Sequence, residues 1–178
     1  MDILTSAQLG SEIYKSCLRA TNSFWEQNSK QQKNKLHEQL NEQIRNYRTE
    51  IDIKEQVILY MWAIFDLLNS YGNKYERATH FMFGEYLEFC DDKEEKDEEM
   101  KLIHKRFNEY KNGFRDQKGK IKNNYFSVVG QAMGHMEGQD APSIALLIVT
   151  VMNISLKHFV AMWLNLLKEI QVKDGDEI

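Results

Sequence analysis

Proline occurs once, at Pro142, and glycine nine times in 178 residues. That scarcity excludes a turn-rich β sandwich, whose tight connections depend on those two residues. Cys17 and Cys90 are the only cysteines. Two are too few to staple a secreted scaffold, and they lack the paired spacing of a zinc or redox site, so a reducing, cytoplasmic setting is expected. A long hydrophobic run is also missing. Ile144 to Leu156 is strongly apolar but holds Thr150, Asn153 and Ser155 and then meets Lys157 and His158. A membrane span needs about 20 largely uninterrupted apolar residues, so none is expected. Met1 to Gly10 shows no basic segment leading into an apolar one, and a signal peptide is not expected either. The net charge of −4 favours solubility and exerts no global pull toward nucleic acid.

The motifs of common chemistries are equally absent. A two-metal carboxylate bundle requires Glu-x-x-His pairs on facing helices, because each metal takes an imidazole and shares bridging carboxylates. No such pair occurs, and Glu76 with His80 is the nearest spacing. The His-x-x-x-His and His-Glu-x-x-His patterns of zinc hydrolases and the glycine-rich phosphate loop are missing too. Arg77 and His80 stand closer together than the arginine–histidine pair of helical ribonucleases. No metal, cofactor or catalytic residue is therefore assigned. Cys17 and Cys90 sit on apolar helix sides, where a thiol is packing material.

What the chain does contain is helix. Apolar residues make up 42% of it, and a chain of this length buries about 70% of its unfolded surface, which suits one domain over residues 1–178. Thr5 with Gln8 forms a capping box ahead of Leu9, Ile13, Cys17, Ala20 and Phe24 at helical spacing. Leu36, Leu40, Ile44, Tyr47 and Ile51 form a narrow stripe on a second helix. Asp52 with Glu55 reads as a second capping box before the nearly all-apolar stretch from Val57 to Tyr71. Gly72 and Asn73 suit a left-handed cap, after which a fourth helix runs to about Cys90 with Arg77, His80, Glu88 and Asp91 outward. Met100, Ile103, Phe107, Tyr110 and Phe114 mark the fifth helix. After Gly119, Ile121, Tyr125, Val129, Ala132, Met133 and Met136 mark the sixth, ending in Gly138 to Ala141, and Pro142 suits the first turn of the seventh. The fold expected is all-α, a compact bundle of about six or seven helices with an apolar C-terminal helix.

Three features rise above this background. Asp91 to Glu99 holds seven acidic and two basic residues, a solvated loop or a helix start favoured by the macrodipole. Directly after it comes a basic segment with Lys101, Lys105, Arg106, Lys111, Arg115, Lys118, Lys120 and Lys122 against only Glu109 and Asp116. On a wheel of about 100° per residue, Lys101, His104, Lys105, Lys111 and Arg115 share one flank, able to face an anionic partner. The second feature is Gly130, Gly134 and Gly138, each costing about 1 kcal/mol against alanine within a helix, which calls for close packing or a ligand-facing break near His135. The third is the last helix, roughly Pro142 to Val172. Its polar arc of Thr150, Asn153, Lys157, Lys168 and Gln171 includes Leu146 and Leu164, and the rest is apolar, with His158, Asn165 and Glu169 on one shoulder as a buried polar network. Such a helix is covered nearly all round, by its own chain or by another.

These features point to a non-enzymatic protein-binding module of the inhibitor, immunity, antitoxin or chaperone kind, without cofactor and off the membrane, with homo-oligomerisation through the C-terminal helix as one form of partnership. The alternative is a nucleic-acid-associated subunit using residues 101–122, with Phe107, Tyr110 and Tyr125 nearby.

Overall fold

The computed structural model describes residues 2–30, 50–115, 125–136 and 142–173. Among them are six α-helices: α1 (Ser6–Lys30), α2 (Glu50–Asn69), α3 (Glu76–Tyr86), α4 (Lys93–Phe114), α5 (Phe126–Met133) and α6 (Pro142–Glu169). Short 3-10 turns at Gly72–Tyr75 and Leu87–Phe89 flank α3. The all-α expectation holds. The narrow stripe from Leu36 to Tyr47 lies outside the described residues.

Helix α1 begins at the box read from the sequence. The Gln8 amide donates to Thr5 Oγ1 at 3.1 Å, and the Thr5 amide donates to Gln8 Oε1 at 2.9 Å. Two orphan donors are thereby satisfied reciprocally. Leu9, Ile13, Cys17 and Phe24 are buried, as their spacing requires. Gly10 lies between the first two of these, against α3: a Cβ there would stand 2.5 Å from the Ala78 carbonyl oxygen and 2.5 Å from Phe81 Cβ. The missing side chain lets the two backbones meet. α1 packs more extensively on α3 than on any other helix.

Helix α2 is the centre of the bundle. Every residue from Val57 to Ile64 is buried, and α1, α4, α5 and α6 all pack on it. A helix apolar on all sides is stable only when covered on all sides. The second capping box is not one: α2 already includes Glu50, so Asp52 and Glu55 lie inside the helix, and both are buried. At the other end Gly72 takes φ +67°, the left-handed conformation that the Gly-Asn pair predicted.

The acidic run is a helix start. Asp92 caps α4 by accepting from the Glu95 amide at 2.9 Å, and Glu95 accepts from the Asp91 amide at 2.7 Å. The carboxylates of the first turn sit at the positive end of the helix dipole. Ile103, Phe107, Tyr110 and Phe114 then bury the predicted stripe, and Trp62 of α2 meets Tyr110 and Phe114 edge-on, at 5.7 and 5.4 Å between ring centroids. Phe114 in turn stacks on Tyr125 at 4.8 Å.

Pro142 opens α6, as its fixed φ and missing N–H favour. The helix stops at Glu169 rather than Val172. Ile170–Val172 is a strand, β2, paired in parallel with β1 (Asp2–Leu4) in the register Asp2 to Ile170 and Leu4 to Val172. The Lys173 amide adds a bond to the Leu4 carbonyl at 3.0 Å. Strands of three residues carry too few positions for an alternating pattern to be legible. Core residues from α1 to α6 form one continuous hydrophobic cluster.

Candidate binding surfaces

The flank of α4 read as basic is where a groove opens. Met100, His104, Phe107, Asn108, Lys111 and Arg115 follow one another at helical spacing along its wall, and Phe65, Asp66 and Asn69 of α2 stand opposite. One section, of about 600 Å³, is closed at its end by α3, which contributes Glu76, Thr79, His80 and Phe83. The next, of about 460 Å³, shares Phe65, Asn69, Phe107 and Asn108 with the first and ends at Lys111 and Arg115. Phe65, Phe83 and Phe107 make a mutual cluster of tilted rings, 5.2 to 6.0 Å apart, beneath it.

The predicted basic residues divide accordingly. Lys101, His104, Lys105 and Lys111 are exposed on α4. Arg115 is partly buried, and its guanidinium donates to both Asp66 oxygens, at 2.9 Å to Oδ1 and 2.7 Å to Oδ2. A carboxylate of the chain already occupies the place expected for an external anion. Lys118, Lys120 and Lys122 lie outside the described residues. Tyr110 is buried, so its ring offers no face to a base.

Arg115 belongs to a series of ion pairs between α2 and α4 that spacing alone does not reveal. Lys54 donates to Glu99 at 2.7 Å, and Glu99 also accepts from the Tyr86 hydroxyl at 2.7 Å. Deeper, Arg106 embraces Glu55 through Nε at 3.0 to 3.1 Å and Nη2 at 2.9 Å. Burial works against the Arg106 charge, but Glu55 outweighs it, and the guanidinium pKa is raised. Burial, with the Glu55 carboxylate next, pushes the Tyr110 phenol up. The Tyr86 phenol is raised likewise, first by burial and then by Glu99. Burial, followed by Asp66, pushes Tyr125 up to about 12. Residues 45 to 51 positions apart thus neutralise one another inside the bundle, which spares each the penalty of a lone buried charge.

The glycines behave differently from expectation. Gly130 is exposed on α5, and no atom lies within 4 Å of where its Cβ would be. Gly134 follows the end of α5 and approaches only its own turn, 3.2 Å from the Gln131 carbonyl. Neither seats a neighbouring helix, so the close-packing role passes to Gly10; Gly138 lies outside the described residues. His135 is held, its Nε2 2.7 Å from Glu109 Oε2.

The buried polar shoulder on α6 is also corrected. His158, Asn165 and Glu169 are all exposed, with Asn165 accepting from Lys168 at 3.2 Å. Asn153, counted in the polar arc, is the residue that is buried. Ile148, Met152, Leu156, Phe159, Trp163 and Leu167 face the core, while Leu146 (61% exposed), Ile154 (50%), Met162 (44%) and Leu164 (38%) face outward. Among the described residues the helix is covered on one side only.

Among the described residues no three His, Cys, Asp or Glu side chains lie close enough to hold a metal ion, and no helix is long and apolar enough to cross a membrane. Cys17 and Cys90 are buried and unpaired, and burial raises the Cys17 thiol pKa, which disfavours the reactive thiolate. No family model, curated protein or solved structure matches the chain.

Proposed function

We propose that this chain is a non-enzymatic protein-binding module, working in the cytoplasm in the manner of an inhibitor, immunity protein, antitoxin or chaperone, and that its partner sits on the outer face of α6. One observation carries the reading: Leu146, Ile154, Met162 and Leu164 stand in solvent on a single helix. Scattered exposed apolar residues are ordinary, but a helix that leaves five large ones exposed, Leu166 being the fifth, resembles an uncovered interface. Lys157, His158 and Lys168 lie among them and supply the polar rim such an interface uses. The two buried cysteines suit a reducing compartment.

The nucleic-acid alternative gains less support. Arg115 is engaged by Asp66, Tyr110 is buried, and exposed Glu94, Glu95, Asp97 and Glu98 open the helix that would carry the phosphates.

The test is comparative capture. The whole chain and its Ile154→Asp/Leu164→Asp variant are immobilised and exposed to extract of the native source, with helical circular dichroism recorded for both. The expected result is a defined polypeptide retained by the parent and lost by an equally helical variant. Identical retention by both proteins overturns the reading. A parent that sediments as a dimer the variant dissolves replaces the foreign partner with a second copy.

A further inference from the structure

The groove between α2, α3 and α4 is independent of the α6 face. Its larger section, about 600 Å³, falls in the range of about 300 to 1,000 Å³ typical of small-ligand sites, and its make-up is that of such a site: apolar rings below, a few polar groups converging above. Phe65 and Phe107 form the stretch of floor common to both sections, between Asn69 on one wall and Asn108 on the other. Of the two sections, one ends in Glu76, His80 and His104, the other in Lys111 and the Asp66–Arg115 pair. The side chains of Asn69, Asn108, His104 and Lys111 have no partner among the described residues.

We infer that this groove binds a small planar aromatic anion, its ring on Phe65 and Phe107 and its anionic group against Lys111. The charges fix the polarity. Asp66 is neutralised by Arg115, which leaves Lys111 as the uncompensated cation at one end among the described residues, while the Glu76 carboxylate repels an anion from the other. Amide N–H groups of Asn69 and Asn108 can donate to the ligand's edge from either wall. The ligand is small because a polyanion running along α4 would meet exposed Glu94, Glu95, Asp97 and Glu98.

The probe is 2-naphthoate, titrated into the full chain and followed by backbone amide chemical shifts, with neutral 2-naphthalenemethanol as control. Saturable binding with shifts centred on Phe65, Asn69, Phe107, Asn108 and Lys111 is expected, and weaker binding of the alcohol. Lys111→Glu, at an exposed position and with its helical circular dichroism checked against the parent, weakens naphthoate by about tenfold. Asn108→Trp, also exposed, fills the groove and abolishes binding. Shifts that do not saturate, or an affinity unchanged in Lys111→Glu, overturn the inference. So does an oligothymidylate that displaces naphthoate with steep salt dependence, which makes the groove a nucleic-acid track. The Ile154→Asp/Leu164→Asp variant should bind naphthoate like the parent, so failure at either surface is read separately.

Discussion

Helices α2 and α6 look alike as strings of letters, and they end up in opposite situations. Both are long and largely apolar. α2 is enclosed by the five other helices, and its charged residues Lys54, Glu55 and Asp66 are matched by partners on α4 and at its C-terminal cap. α6 buries one face and leaves Leu146, Ile154, Met162 and Leu164 outside. Apolar content states how much surface a helix would gain by covering. It does not state whether this chain has enough other helices to provide the cover.

The sharpest way to break the comparison is truncation of matched residues. Trp62→Ala removes a ring wedged between Tyr110 and Phe114 and should destabilise by about 3 to 5 kcal/mol in urea unfolding. Ile154→Ala on the open face should change the same midpoint by no more than about 0.5 kcal/mol. Equal effects would mean that α6 is covered after all.

Next in size is the charged edge of α2. Arg106→Met leaves Glu55 buried without its partner, and we expect a loss of about 3 kcal/mol, with the Glu55→Leu/Arg106→Met double variant recovering most of it. Removing Lys157 from α6 should leave stability within experimental error.

The same contrast holds for glycine. Gly10→Ala forces a methyl against the Ala78 carbonyl and should destabilise by about 1 to 3 kcal/mol, whereas Gly130→Ala, facing open space, should stabilise by about 0.5 to 1 kcal/mol.

The smallest effect at ordinary pH is titration of the enclosed phenols. Tyr60 of α2, bonded to Ser155 of α6 at 2.7 Å, and Tyr86, Tyr110 and Tyr125 all have pKa values raised above 10.0, burial being the largest cause for each. A raised folded pKa means the native state holds the proton more tightly, so this stabilisation is whole below pH 10.0 and declines as pH rises above it. Urea midpoints measured from pH 8 to 11 should be level and then fall, and Tyr110→Phe should make the fall shallower.

Several elements were legible because their cause is local. The Thr5–Gln8 box, the Gly72 cap, the Pro142 start and the stripe from Ile103 to Phe114 each involve residues within a turn or two, and each is found where its pattern places it. The failures share the opposite property. Asp52 and Glu55 have the spacing of a cap, yet both lie buried inside α2, where Glu55 meets Arg106 fifty-one residues away. The glycine run from Gly130 promised a helix contact that Gly10, alone in its segment, makes instead. The groove was illegible for the same reason, since its walls come from three helices. On the α4 wall the basic flank was visible; nothing in the sequence placed Phe65, Asn69 or His80 across from it.

From its own residues the chain determined that it would be helical, where α1 and α6 begin, and which side of α1 and α4 would face inward, because those outcomes follow from backbone hydrogen bonding and a period of about 3.6 residues per turn. Tertiary structure alone decided which apolar helix became the core, which charges were spent on one another and which stayed available, and that β1 would pair with β2 across nearly the whole length of the chain. Those depend on which surfaces meet, and no short-range pattern contains that information.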